Sequence, residues 1–142
     1  MPNYPLEIKR HSLAHVLAAA VTELYPQVRL AIGPAIDNGC YYDFDFGPIK
    51  LSDEALGVIQ NKMLEIIASP LNFERSVKDI DEALAKEKQQ GQIYKAELIA
   101  DLKKQGITEV SYYTLGQFTD LCRGPHVDST ADLRGLGFMV HH

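Results

Sequence analysis

Two pairs of side chains, one near each end of the chain, constrain this fold more than any other feature. His11 and His15 lie in HSLAH, and Cys122 and His126 lie in CRGPH. All four are of types that bind Zn²⁺ or move protons, and more than a hundred positions separate the two pairs. A fold that joins them makes one four-donor pocket out of distant segments. Ile8, Leu13, Val16, Leu17, Ala20, Val21 and Leu24 recur at spacings of three and four, so residues 8–25 are predicted to be a helix that Pro26 ends. His11 and His15, four apart, then share one face of it. Gly124 and Pro125 inside the second pair exclude a regular helix there, so that pair is expected on a loop.

Between these ends, helices and strands are mixed. Leu30–Ile36 reads as a short strand interrupted by Gly33-Pro34, and Asp37-Asn38-Gly39 as a tight turn. Cys40–Phe46 resumes as a strand, with Cys40, Tyr42, Phe44 and Phe46 on one side. Ser52-Asp53-Glu54 has N-capping chemistry and opens a helix carried by Leu56, Ile59, Met63, Ile66 and Ile67 as far as Ser69-Pro70. Leu71–Val77 alternates as a strand. Asp79–Gln90 and Tyr94–Gln105 are read as helices closed by Gly91 and Gly106, and Val110–Leu115 as a β-rich run. Without a regular βαβ alternation, this pattern indicates a single α+β domain. An antiparallel β-sheet packs with the long N-terminal helix and further helices.

Composition narrows the class. A chain of 142 residues with 46% hydrophobic content suits one domain with a real core. No apolar run is long enough to cross a bilayer, and MPNYPLEIKR lacks the apolar stretch of a secretory signal, so no membrane role is expected. Cys40 and Cys122 are too few for a disulfide framework, which makes a cytoplasmic setting the expectation. The net charge of -5 excludes a uniformly basic nucleic-acid binder; any RNA contact must come through a local patch or another domain.

The chemistry of the constellation admits several readings. His/His/Cys/His supplies a tetrahedral Zn²⁺ shell, with two imidazole nitrogens at about 2.0–2.1 Å. Without metal, the same imidazoles serve general acid or base catalysis near neutral pH. A Cys122 nucleophile activated by histidine is a third reading. A structural Zn-binding interaction domain, or two pairs that never meet, are the non-catalytic ones. Asp120, two before Cys122, suits orienting a neighbour or binding an amino group, or else a turn. Lys95 by itself reads as a solvated lysine, Tyr42 as core, and Lys86-Glu87-Lys88 as an exposed helix face. Lys103-Lys104 supply favourable charge at a helix C-terminus.

HSLAH, LAIGPAIDNGCYYDFDF and TDLCRGPHV together resemble the editing, or second N-terminal, domain of bacterial-type threonyl-tRNA synthetases, from about His11 to Val127. HxxxH and CxxxH are shared with alanyl-tRNA editing domains, whereas IGPAIDNGCYYD is similar to the threonyl branch alone. The resemblance implies hydrolysis of the aminoacyl ester of seryl-tRNA(Thr), with an alanyl-type trans-editing deacylase as the related alternative. It implies that His11 and Lys95 position water and stabilise developing charge. Asp120, Tyr42 and Gly33 would hold the serine moiety, and His15, Cys122 and His126 would shape the pocket. It implies no obligatory cofactor, although Zn²⁺ has ligands in His11, His15, Cys122 and His126. The implied partners are the serine-carrying acceptor end of tRNA(Thr) and the remaining synthetase domains. Residues 1–142 are expected to be one editing domain, either excised from a larger synthetase or standing alone.

Overall fold

The computed structural model describes residues 4–30 and 42–140, together with the backbone pairing of Ala35–Ile36 and Gly39–Cys40. Gly33, the Asp37-Asn38 turn and the side chain of Cys40 lie outside the described residues.

Helix α1, Leu6–Leu24, falls within two residues of its predicted span. It is buried over Ser12–Val16 and Ala18–Val21, nearly all round, because three successive alanines let neighbours close on it from several sides. Helix α2, Asp53–Ala68, opens at Ser52, whose hydroxyl accepts from the Ala55 amide at 3.1 Å. Leu56, Ile59, Met63 and Ile67 of α2 meet Leu13, Val16 and Ala20 of α1 in the main core. Val127 and Leu133 close the same core from the C-terminal side. The expected hairpin is present as two short antiparallel pairs. Strand β1 (Arg29–Leu30) pairs with β4 (Phe44–Asp45), and β2 (Ala35–Ile36) pairs with β3 (Gly39–Cys40).

A three-stranded antiparallel sheet follows, in the order β5 (Phe73–Asp79), β6 (Glu109–Leu115), β7 (Phe118–Leu121). Strand β7 was not legible as a strand. It returns from β6 through Gly116-Gln117, and Gly116 has a φ of 63°, the positive angle that the first residue of a two-residue hairpin turn requires. Helices α3 (Ile80–Gln89) and α4 (Ile93–Lys104) bury Ile80, Ala83 and Ile99 against Val110 and Tyr112, forming a second core. Asp79 caps α3 by accepting from the Asp81 amide at 2.9 Å. Gln92 joins the entry of α4 to β1: its Oε1 accepts from the Leu30 amide at 2.8 Å and its Nε2 donates to the Val28 carbonyl at 3.1 Å.

The alternation read over Leu71–Val77 holds at its start, where Leu71 and Phe73 pack on the main core, and then leaves the core. Val77 is 49% exposed, and with Arg75 it lines an open cleft. The segment after β7 runs back to the start of β5, where the Phe73 amide donates to the Asp128 carbonyl at 2.9 Å. This return path carries the second half of the constellation back to α1.

Candidate active site

The two pairs meet. His11 Nε2 lies 3.1 Å from Cys122 Sγ, and His126 Nε2 lies 3.2 Å from the same sulfur. The Gly124 amide donates to that sulfur at 3.3 Å. The rings of His11 and His126 stack at 4.7 Å. His15 stands behind them, edge-on to Phe118, His126 and Phe73 at 5.1, 5.0 and 5.7 Å. It is 3% exposed, and its Nε2 has no hydrogen-bond partner among the described residues. The loop holding Cys122 and His126 packs on β6: Tyr113 meets His126 edge-on at 4.5 Å, and Ser111 Oγ donates to the Cys122 carbonyl at 2.6 Å. Gly124 has a φ of 77°, and a Cβ there would strike the Tyr113 hydroxyl and stand 2.9 Å from the ring carbon that bears it. Only glycine lets the loop lie this close.

Across the same cleft, Lys95 from α4 reaches Asp120 of β7, Nζ to Oδ1 at 3.3 Å. The Tyr42 hydroxyl donates to the other oxygen, Oδ2, at 2.6 Å, and Lys95 Nζ sits 5.3 Å above the Tyr42 ring. Lys95 and Asp120 are 5% and 4% exposed, so Lys95 is not the solvated lysine that its neighbours suggested. The cleft, about 1120 Å³, is bordered by His11, Tyr42, Lys95, Asp120, Cys122 and His126. A second cavity of about 720 Å³ also touches Lys95 and Asp120, from the side of Glu87 and Gln92. Glu87 was read as part of an exposed helix face. It is buried at 4% exposure, and it accepts from the Tyr112 hydroxyl at 3.0 Å.

The profile of the threonyl and alanyl tRNA synthetase second additional domain matches residues 110–136, the stretch that carries Asp120, Cys122 and His126. The chain is 46% identical over 131 residues to threonine–tRNA ligase of Nitrosococcus oceani, covering 92% of this chain and 20% of that protein. The corresponding enzyme of Polynucleobacter asymbioticus is 50% identical over 134 residues, covering 94% of this chain and 20% of its own length. That of Clostridioides difficile is 46% identical over 130 residues, with shares of 92% and 20%. Residues 110–136 thus match the threonyl and alanyl tRNA synthetase second additional domain, and nearly the whole chain is similar to one segment of threonine–tRNA ligases. It spans about one fifth of the length of the curated relatives it matches. The editing-domain resemblance and the α+β fold are both borne out. Among the described residues no helix is long and apolar enough to cross a membrane.

Burial sets the charge state of this site. Loss of hydration pushes His15 down to about 4 and, with help from the neighbouring imidazoles, His126 down to about 2. His11 is lowered for the same reason, against an opposing pull from Asp120 and Glu7. Burial raises the Cys122 thiol, and burial together with Asp120 raises the Tyr42 phenol. At neutral pH the His11–Cys122–His126 cluster is therefore itself uncharged, imidazoles with available lone pairs and a protonated thiol, while Arg123 of the same loop also lines the cleft. The Lys95–Asp120 ion pair faces the cluster.

As a metal site, three of the four anticipated donors converge. The donor atoms of His11, Cys122 and His126 lie within 4.8 Å of one another. Their chemistry, two nitrogens and a sulfur, suits Zn²⁺. The nitrogen of His15 is outside that set. Sequence reasoning passed over Ser12, Tyr113 and Glu87.

Proposed function

We propose that this domain hydrolyses the ester joining serine to the terminal ribose of tRNA(Thr), the product formed when serine is taken for threonine. The observation that carries the proposal is the meeting of His11, Cys122 and His126 opposite the Lys95–Asp120–Tyr42 group across one open cleft. The need for such an activity is physical. Serine is threonine less one methyl, and a missing methyl discriminates by only about 1–3 kcal/mol, roughly 10- to 200-fold. A second site that admits only the smaller product makes up the difference.

In the proposed reaction a water oxygen bonds to the ester carbonyl carbon while its proton passes to a neutral imidazole. His11 borders the cleft with its affinity for protons lowered by burial, which suits a group that takes a proton and returns it. The Lys95 ammonium stabilises charge on the ester oxygens as the tetrahedral species forms. The carbon–oxygen bond to the ribose then breaks, and the proton goes to the departing ribose oxygen. The Asp120 carboxylate takes the substrate's ammonium, held in place by Tyr42. His15, Cys122 and His126 shape the wall that the extra methyl of threonine would strike. A zinc ion held by His11, Cys122 and His126 would supply Lewis acidity to a bound water. The proposed hydrolysis needs only the chain's own groups.

The test is timed ester loss from seryl-tRNA(Thr), threonyl-tRNA(Thr) and mischarged tRNA(Ala). Faster loss from seryl-tRNA(Thr) is expected. Equal decay of all three at the rate without protein would overturn the proposal.

A further inference from the structure

Ser12 sits between the two histidines of HSLAH, fully buried in α1, and no role given so far uses it. Its hydroxyl meets two polar atoms of the returning segment. The Val127 amide donates to Ser12 Oγ at 3.0 Å, and His126 Nδ1 lies 3.0 Å from the same oxygen. A backbone amide can only donate, so one lone pair of Oγ is taken by Val127. The hydroxyl carries one proton. Among the described residues, the only other partner within hydrogen-bond reach of Oγ is His126 Nδ1. Were Nδ1 itself protonated, the serine proton would be a buried donor without an acceptor. That penalty biases the two ring forms by about tenfold or more.

We propose that Ser12 is a positioning residue: it donates to His126 Nδ1 and so holds His126 in the tautomer protonated on Nε2, with that N–H aimed at the Cys122 sulfur. The distance from Nε2 to Sγ is 3.2 Å, and the Gly124 amide points at the same sulfur from 3.3 Å. A thiol receiving two donors turns its own proton to the remaining neighbour, His11 Nε2, 3.1 Å away. One hydroxyl therefore sets the direction of a chain that runs from Val127 through Ser12, His126 and Cys122 to His11. The bland alternative is that Ser12 merely pins the loop to the helix through the Val127 amide, with the imidazole indifferent to it.

Nitrogen-15 NMR of the whole chain labelled at histidine, recorded at neutral pH, separates the two. For His126, Nε2 is expected to read as the protonated nitrogen and Nδ1 as the lone-pair nitrogen. The opposite assignment in the unmodified protein overturns the proposal, whatever any variant does. Ser12→Ala is expected to shift the tautomer ratio by about tenfold, the bias that the hydroxyl supplies. A folded Ser12→Ala protein with an unchanged ratio also overturns it. Ser12→Thr keeps the hydroxyl and is expected to restore the ratio; a folded threonine variant that behaves like alanine counts against the proposal. Should Ser12→Ala fail to fold, the unmodified protein and Ser12→Thr decide. None of these readouts involves tRNA, so they stand or fall apart from the proposed hydrolysis.

Discussion

Lys95 and Asp120 face each other at 3.3 Å, both almost wholly buried, and the Tyr42 hydroxyl closes the second oxygen of the carboxylate at 2.6 Å. The pair joins α4 to the edge strand β7 and stands where the two cavities meet. Its partners matter to each other because neither charge has water to fall back on. Lys95→Met is expected to cost about 3–5 kcal/mol, since it strands a buried carboxylate. Lys95→Met combined with Asp120→Asn removes both charges and is expected to recover much of that loss. Urea unfolding of the two single variants and the double variant measures the coupling directly.

Gly124 tests how the loop is held. Gly124→Ala meets the Tyr113 ring and a φ of 77°, and is expected to cost about 1–3 kcal/mol. Adding Tyr113→Leu removes the collision but leaves the backbone strain, so recovery should be partial. Melting temperatures of the three proteins report the split. Seryl-tRNA(Thr) hydrolysis should fall with Gly124→Ala as well, because Cys122 and His126 flank the displaced backbone.

Glu87 gives a pH signature. Burial raises its pKa above the ordinary carboxylate value, outweighing the hydrogen bond from Tyr112 and the pull of Lys86. The folded state thus holds this proton more tightly than the unfolded chain does. The stability it contributes is fully present below the ordinary glutamate pKa and is lost as pH rises through the raised value. Glu87→Gln, which can still accept from Tyr112, escapes that loss. The variant should gain stability relative to the unmodified protein between pH 4 and 7, with most of the gain reached at the upper end. Thermal unfolding of both across this range would show a constant difference if the carboxylate were unperturbed.

Cys122 separates a shaping role from a covalent one. Loss of a nucleophile costs on the order of 10⁶ in kcat. Cys122→Ser keeps a hydrogen-bonding atom between His11 and His126 and is expected to lose only about 10- to 100-fold, the scale of a disturbed supporting contact. No acyl-enzyme should accumulate in the unmodified protein during seryl-tRNA turnover, as judged by intact mass. Zinc affinity, measured by competition with a chelating dye, should fall sharply in the same variant, because sulfur is one of three converging donors.

Much of the fold was legible because its signals are local. Ser52 and Asp79 cap the helices they were expected to begin, and Gly91 and Gly106 adopt positive φ where helices end. The meeting of HSLAH with CRGPH was legible only through resemblance, since spacing alone left open whether the pairs touch. Strand β7 escaped because it is four residues long and contains a buried aspartate, so Phe118–Leu121 shows no clean alternation. The burial of Glu87, and that of Lys95, which only the resemblance had singled out, escaped for a related reason. A charge on a helix reads as solvent-facing until a partner is known, and their partners Asp120 and Tyr112 come from strands far along the chain. Ser12 was hidden by its neighbours: with α1 buried nearly all round, no stripe sets one face apart.

The bond between Ser12 and His126 spans 114 positions. No short stretch of polypeptide contains the His11–Cys122–His126 cluster in embryo, so it comes into being only when segments distant in sequence lock together, a slow class of event for any chain. The amide proton of Val127, tucked against Ser12, is expected to become a timer for that closure: its exchange with deuterated water should follow the opening of the whole molecule, long after that of the exposed first turn of α1.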